Sequence, residues 1–243
     1  MKIDSPESIF TQIYEKGIWQ YGGTRDGDYS NPSHTQKLID GLIPFLKKWN
    51  ITSIFDASCG EHFFTREIDF AGNNITYIGG EIVAEKVVKL KIEFPEKDFR
   101  VFDIIKDPFP ETDVWMCKDT LIHFPIYYTQ QTLRNFVASN TKYCLITSLT
   151  TGNEARENVD IQEFGMLNHG NHRCVITNFN IPPFSFPEPL DVLEYTAMDE
   201  IPPYSTPEER TTINHRPRFF LFLYDRETIA KLPFLQADLP EPG

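Results

Sequence analysis

Four short segments place carboxylates, a glycine turn and a histidine where apolar runs end. Phe55-Asp56-Ala57-Ser58-Cys59-Gly60-Glu61-His62 sets an acid ahead of a tight turn. Gly79-Gly80-Glu81 closes a second run, Phe102-Asp103 a third, and Lys118-Asp119 a fourth, with His123 four residues further on. A carboxylate about 20 residues beyond a glycine turn suits a nucleoside cofactor, because it accepts hydrogen bonds from both ribose hydroxyls. Glu81 has that position, and Asp103 with its apolar neighbours suits the flank of an adenine. Asp119 and His123 share one helical turn and can face one cleft. The imidazole then acts as general base with Asp119 orienting it, or Asp119 is the base and His123 contacts the substrate. Plainer roles compete. Asp56 can cap a following helix, Asp103 can form a turn before Asp107-Pro108, and His123 beside Phe124-Pro125 can be a packing group.

Elements that alternate must position these residues. Helical patterns are expected over 5–16, with Ile9, Ile13 and Phe10 on one face, and over 31–49, with Asn31 as N-cap and Pro32 in the first turn. Leu38, Leu42, Phe45, Leu46 and Trp49 recur at helical spacing there, and Pro44 should kink or divide the helix. Strands are expected at 51–58, 74–82, 98–102, 113–119 and 143–149, and helices at 62–71, 83–93 and 126–139. This alternation implies a Rossmann-like, doubly wound α/β fold with a mostly parallel sheet and helices on both faces. RFFLFLY (218–224) reads as an antiparallel C-terminal strand, at the edge or beside strand five. Between them lies a long irregular region whose residues 181–210 hold prolines 182, 183, 187, 189, 202, 203 and 207. Long loops of this kind often line binding sites. The expected organisation is one domain over 1–243: a helical cap (1–50), a cofactor core (51–149), an acceptor-binding loop region (150–217), and a last strand with its tail (218–243).

DASCGEH resembles the D-x-x-C-G-x-G turn of the class I S-adenosylmethionine-dependent methyltransferases, IGGE their acidic second strand end, and VFD their third site. Ser58 and His62 stand where that pattern has glycines. The bulk at His62 disfavours a pyrophosphate, and so NAD, more than it disfavours the smaller amino-acid end of a sulfonium cofactor. A longer set is similar to bacterial methyltransferases of polysaccharide clusters. It comprises D-A-x-C-G, Tyr77 to Val83, Cys117-Lys118-Asp119-Thr120-Leu121-Ile122-His123, Asn158 to Gly165, and Asn178 to Pro189. At the N-terminus Trp19 and Gly22-Gly23 match, while Arg25, Asp26 and Asp28 depart. The resemblance implies S-adenosyl-L-methionine as cofactor and O-methylation of a sugar or glycan hydroxyl. Cofactor contacts are expected at Asp56, Ser58, Cys59, Gly60, Glu81, Ile82, Asp103, Ile104 and Lys118. Acceptor contacts are expected at Trp19, Tyr21, Asn158, Asp160 and Asn178. Other readings are a small-molecule N-methyltransferase, a nicotinamide-dependent oxidoreductase, and a non-catalytic module that keeps the fold.

Composition narrows the partners. The chain has 243 residues, 23 basic and 35 acidic, for a net charge of −12. That balance disfavours a nucleic-acid backbone, which is bound through Lys and Arg, and an anionic membrane surface. The excess lies half in 51–180 and half in 181–210, where Arg210 is the lone base among seven acids. A neutral or cationic acceptor is expected over a polyanion. The start, MKIDSPESIF, lacks a secretory pattern, and no run approaches 18 apolar residues. Cys59, Cys117, Cys144 and Cys174 show no paired spacing, so reduced thiols of a cytoplasmic protein are expected, with no metal. His34, His169, His172 and His215 read as surface groups, with His169 and His172 near Asn168 and Asn171 as lesser acceptor candidates. A homodimer is the macromolecular partner left open.

Overall fold

A computed structural model describes residues 5–20, 23–27, 30–150, 158, 177–196 and 218–242. Helix α1 (Pro6–Glu15) starts at Ser5, whose hydroxyl accepts the Ser8 amide at 3.2 Å, and buries Ile9, Ile13 and Tyr14. Helix α2 (Pro32–Lys48) runs through Pro44 without dividing. Proline removes one ladder bond there, while buried Leu38, Leu42, Phe45 and Leu46 hold the helix on both sides of it.

Seven strands form one sheet: β1 (Ser53–Ala57), β2 (Thr76–Glu81), β3 (Asp98–Val101), β4 (Val114–Cys117), β5 (Tyr143–Thr150), β6 (Asp191–Thr196) and β7 (Arg218–Asp225). Their order is β3-β2-β1-β4-β5-β7-β6. The first five are parallel, and β7 runs antiparallel to both β5 and β6. Helices α3 (Ala84–Glu93) and α4 (Ile126–Val137) follow β2 and β4, and two short helices, α5 (Arg226–Ala230) and α6 (Pro233–Gln236), follow β7. Strand alternation sorts the side chains into two cores. Phe55, Trp115, Cys117, Ile146 and Phe222 pack with α1, α4, α5 and α6. Ile54, Val114, Met116, Leu145 and Leu223 pack with α2 and α3. Helices therefore cover both faces, as the alternation implies.

Three local expectations need correction. No α-helix follows β1. Residues 62–71 hold 3₁₀ turns at Thr65–Glu67 and Ala71–Asn73 instead. Gly60 and His62 both have left-handed backbone, φ +58° and +56°, which blocks a helix from starting at the turn. Phe64, Ile68 and Phe70 still reach the core. Second, the proline-rich region contains a strand, β6, which takes the edge, so β7 occupies the other of its two expected places, beside β5. Third, the chain after β7 is helical at two places, and α4 clamps it. Gln130 donates to the Phe234 and Ala237 carbonyls at 2.6 and 2.9 Å, and Arg134 to that of Leu235 at 2.8 Å.

Candidate functional site

Strand order reverses between β1 and β4, and the crevice at their carboxyl ends is where ligands bind in such sheets. The Trp115 indole fixes this pair by donating to the last β1 carbonyl, Ala57 O, at 2.9 Å. Across the crevice Ser58 Oγ and Thr120 Oγ1 are hydrogen-bonded at 2.6 Å, which ties the β1 turn to the β4 turn. Cys59 is buried, its amide bonded to the Gly80 carbonyl at 2.9 Å, and burial pushes its thiol well above the usual range.

Glu81 ends β2 at 3% exposure. Its Oε1 accepts the Val83 amide at 2.9 Å, and its Oε2 lies 3.7 Å from Lys86 Nζ. Burial raises its pKa, and Lys86 and the Val83 and Gly60 amides oppose that. Lys86 pairs with Asp26, whose other oxygen accepts the Glu61 amide. Glu61 in turn accepts from Thr24 Oγ1 at 2.9 Å and the Arg25 amide at 2.8 Å. Burial works to lower the Lys86 pKa, but Asp26 and Glu81 outweigh it and hold the ammonium charged.

Asp56 points below the turn. It is 1% exposed and accepts Tyr77 Oη at 2.8 Å, so it caps no helix. Behind Tyr77 stands His62, fully buried. The Lys97 ammonium, 2.7 Å from His62 Nε2, can only donate, so Nδ1 carries the ring proton toward Thr65 Oγ1 at 2.6 Å and Tyr77 Oη at 3.2 Å. Every donor in this chain points toward Asp56. Burial, with the Lys97 and Arg66 charges, lowers His62 to about 3 and keeps it neutral. Burial raises Asp56 from 3.8 to about 7, against the Tyr77 bond and Lys118, while Glu81 adds to the rise.

At the end of β4, buried Lys118 pairs with half-buried Asp119, with the ammonium also 5.4 Å over the Phe64 ring. Thr147 on β5 holds Asp119 twice. Its Oγ1 accepts the Asp119 amide at 2.8 Å and donates to Oδ1 at 3.1 Å. His123 sits in a 3₁₀ turn (Leu121–His123), with its ring 4.6 Å from that of Trp19. Phe10 of α1 backs Trp19 at 6.0 Å. Burial lowers the His123 pKa to about 4, against the pull of Asp119, so the imidazole is neutral.

The structure thus brings Ser58, Gly60, Glu81, Lys118, Asp119, His123 and Trp19 to the carboxyl ends of β1, β2 and β4. Asp103 behaves as the turn former. Its Oδ1 accepts the Ile105 amide at 2.9 Å and its Oδ2 pairs with Lys106 at 3.2 Å. Ile104 is buried in the α4-side core, and Ile82 is half-buried. Asn158 clasps backbone, donating to the Asn178 and Pro182 carbonyls at 2.8 and 2.9 Å and accepting the Asn178 amide at 2.8 Å. The Asn178 side chain caps the Asn180 amide at 2.9 Å. These two asparagines shape the loop around Phe179 with the groups expected to contact acceptor. Tyr21 and Asp160 lie outside the described residues, as do His169, His172 and Cys174. Among the described residues no group of His, Cys, Asp and Glu is placed to hold a metal, and no helix is long and apolar enough to cross a membrane.

No protein-family model matches the sequence, and no curated protein matches it. Solved structures do match. The PH0226 protein of Pyrococcus horikoshii OT3 aligns with a TM-score of 0.50 at 15% identity, covering 80% of this chain and 95% of that one. The sheet order and this match settle the architecture. The fold is a Rossmann-like, doubly wound α/β sheet with antiparallel strands at one side. Structural neighbours at lower scores include magnesium protoporphyrin IX methyltransferase from Synechocystis PCC 6803 with bound SAH (TM-score 0.43, 15% identity, 58% of this chain and 68% of that one). Human N-acetylserotonin methyltransferase in complex with SAM is another (TM-score 0.38, 19% identity, 44% of this chain), and the match spans 32% of its length.

Sequence reading missed Asp26, Lys86, Thr120 and Thr147. Lys86 did carry a signal: with Val83, Val87 and Leu90 it completes an apolar stripe on α3, where a lysine is out of place without a partner.

Proposed function

We propose that this chain is an S-adenosylmethionine-dependent methyltransferase that acts on a hydroxyl of a sugar, glycan or other small acceptor. The observation that carries the proposal is the convergence, at the switch point, of a glycine turn, a buried carboxylate ending β2, and a neutral imidazole beside a fixed carboxylate ending β4. The donor set fits the cofactor. Gly60 has left-handed backbone that disfavours a side chain, Glu81 suits ribose hydroxyls, and the acidic surroundings suit a sulfonium cation. When bound, the cofactor supplies an electrophilic methyl group.

The chain's own task is to align the acceptor, exclude water and take the hydroxyl proton. Neutral His123 is the proton acceptor in this reading. Asp119, held by Lys118 and Thr147, stabilises the imidazolium that forms. Trp19 lies tilted against the imidazole and limits its rotation. The sugar preference rests on the family resemblance and on the acidic, aromatic region after β5. Three buried free thiols, Cys59, Cys117 and Cys144, support a reducing, cytoplasmic setting.

A second reading, transfer to an amine, draws on the same histidine. A pKa of about 4 makes His123 a weak base, and an amine nucleophile needs less help. Calorimetry with S-adenosylhomocysteine and with NAD tests the cofactor, and labelled-methyl transfer to a pool of glycans and small amines tests the acceptor. Binding of NAD alone sinks the proposal. Full turnover by His123→Ala with cofactor affinity unchanged sinks the base and favours the amine.

A further inference from the structure

The Glu61 amide and the Lys86 ammonium form an anion seat, and Asp26 sits in it. One Asp26 oxygen accepts the Glu61 N–H and the other pairs with Lys86 Nζ. Gly60 makes the approach possible, because a Cβ there would run into the Asp26 carboxylate. The Lys86 side chain is 9% exposed and stands in the apolar stripe of α3. A buried ammonium needs an anion close by. Of its other acidic neighbours, Glu81 is at 3.7 Å and already accepts the Val83 amide, and Glu61 accepts from Thr24 and the Arg25 amide.

The occupant comes from far along the chain. Asp26 lies in a short segment bounded by Gly23 and Gly27, with φ +93° and +89°, and a side chain at Gly27 would meet nothing within 4 Å. That segment is held on the turn by two polar contacts besides those of Asp26 itself, Thr24 Oγ1 and the Arg25 amide to Glu61, and within the segment the Asp26 amide donates to Thr24 Oγ1 at 3.0 Å. Glycines on both sides let the backbone rotate where other residues would be strained. An N–H and an ammonium aimed at one carboxylate will take another carboxylate with the same charge balance, and Glu81 beside them is the group assigned to ribose.

We infer that this seat receives the carboxylate of the cofactor's amino-acid end, and that Asp26 is an internal competitor for it. The inference rests on the nucleoside-cofactor reading of Glu81. Asp26 thereby sets how tightly a carboxylate-bearing nucleoside binds, without touching the affinity for the same nucleoside lacking that group.

Calorimetry on the full chain with S-adenosylhomocysteine and with 5′-methylthioadenosine, which has no carboxylate, separates the possibilities. Asp26→Asn is expected to tighten S-adenosylhomocysteine about tenfold and to leave methylthioadenosine within about twofold. Lys86→Gln is expected to weaken S-adenosylhomocysteine about tenfold, again with little change in methylthioadenosine. Asp26→Ser repeats the first test if the asparagine variant melts early. Weaker binding of S-adenosylhomocysteine by both Asp26 variants would make Asp26 a ligand contact and overturn the proposal. Unchanged binding overturns it too, as do equal effects of Lys86→Gln on both ligands. If wild type binds neither ligand, the nucleoside reading fails and takes the seat with it. If wild type binds both, only the seat is at stake.

Discussion

Asp56 carries the largest calculable consequence. Its carboxyl is 1% exposed and accepts one hydrogen bond, from Tyr77. Burial raises its pKa from 3.8 to about 7. In the unfolded chain the same group ionises near its ordinary value, so between pH about 4 and 7 the folded protein keeps a proton the unfolded chain has lost. Stability must therefore fall as pH rises through that window and level off above it. A shift of about three pKa units corresponds to roughly 4 kcal/mol, a large share of the 5–15 kcal/mol typical of a domain. Asp56→Asn keeps an acceptor for the Tyr77 hydroxyl and removes the ionisation. Urea unfolding followed by circular dichroism, across pH about 4 to 8, should show the variant gaining on wild type by roughly that amount toward neutral pH. Lys118 works the other way, since its charge favours ionised Asp56. A gap that stays constant, or that closes as pH rises, would mean that Lys118 outweighs burial and would refute the reasoning.

Other consequences are more local. If neutral His123 takes the acceptor proton, kcat should stay level from pH about 7.5 down to about 5.5, because burial holds its pKa near 4. A limb at pH about 6.5 would exclude it, and Trp19→Leu, which opens the ring to solvent, should move the limb upward. Asp113 accepts from the amides and hydroxyls of Thr52 and Ser53 at 2.9–3.1 Å and from Lys142 at 2.6 Å. Burial pushes its pKa up, but these bonds prevail and hold it well below the usual range. Asp113→Asn should cost about 1–3 kcal/mol at neutral pH in thermal unfolding. The difference should shrink as pH falls below about 4, where wild type starts to lose the same contribution. Gly60→Ala should cost about 1–2 kcal/mol for its left-handed backbone alone, visible as a lower Tm. It should also displace Asp26 from the turn, which amide exchange at Glu61 would report.

The parts of the fold legible in sequence are those fixed by local pattern. β4 and β5 are short apolar runs, and Trp115, Met116, Leu145 and Ile146 sort to opposite faces as their alternation requires. β6 was hidden because it is an edge strand. Val192 is 42% exposed, the pairing with β7 shifts register between Glu194 and Thr196, and prolines crowd its start. Only contact with β7 makes that segment a strand. The missing helix after β1 misled for another reason. Phe64 and Ile68 stand at helical spacing, four residues apart, yet the backbone at His62 is committed to the turn, where the ring joins Thr65, Tyr77 and Lys97. The candidate site divided along similar lines. Glu81 and Asp119 were legible because each ends a recognisable run, and His123 because it stands four residues beyond Asp119. Asp26 and Thr147 were not, since each acts on a partner at least 28 positions away.

Charge burial connects these observations. Glu81, Lys86 and Lys118 are all buried at or beside the switch point. Buried ion pairs are weak contributors to stability, because desolvation consumes most of the Coulombic gain, and apolar residues of similar volume often do as well or better. Folding alone therefore gives little reason to gather such groups at the mouth of the crevice, while two full apolar cores lie on either side of it. A ligand that carries both charges gives a reason. Its cation is served by the carboxylates and its anion by Lys86, so each buried group keeps a partner when contacts are exchanged. That economy of exchange also explains why Asp26 holds the turn from a glycine-bounded segment: its carboxylate keeps Lys86 paired until another one does.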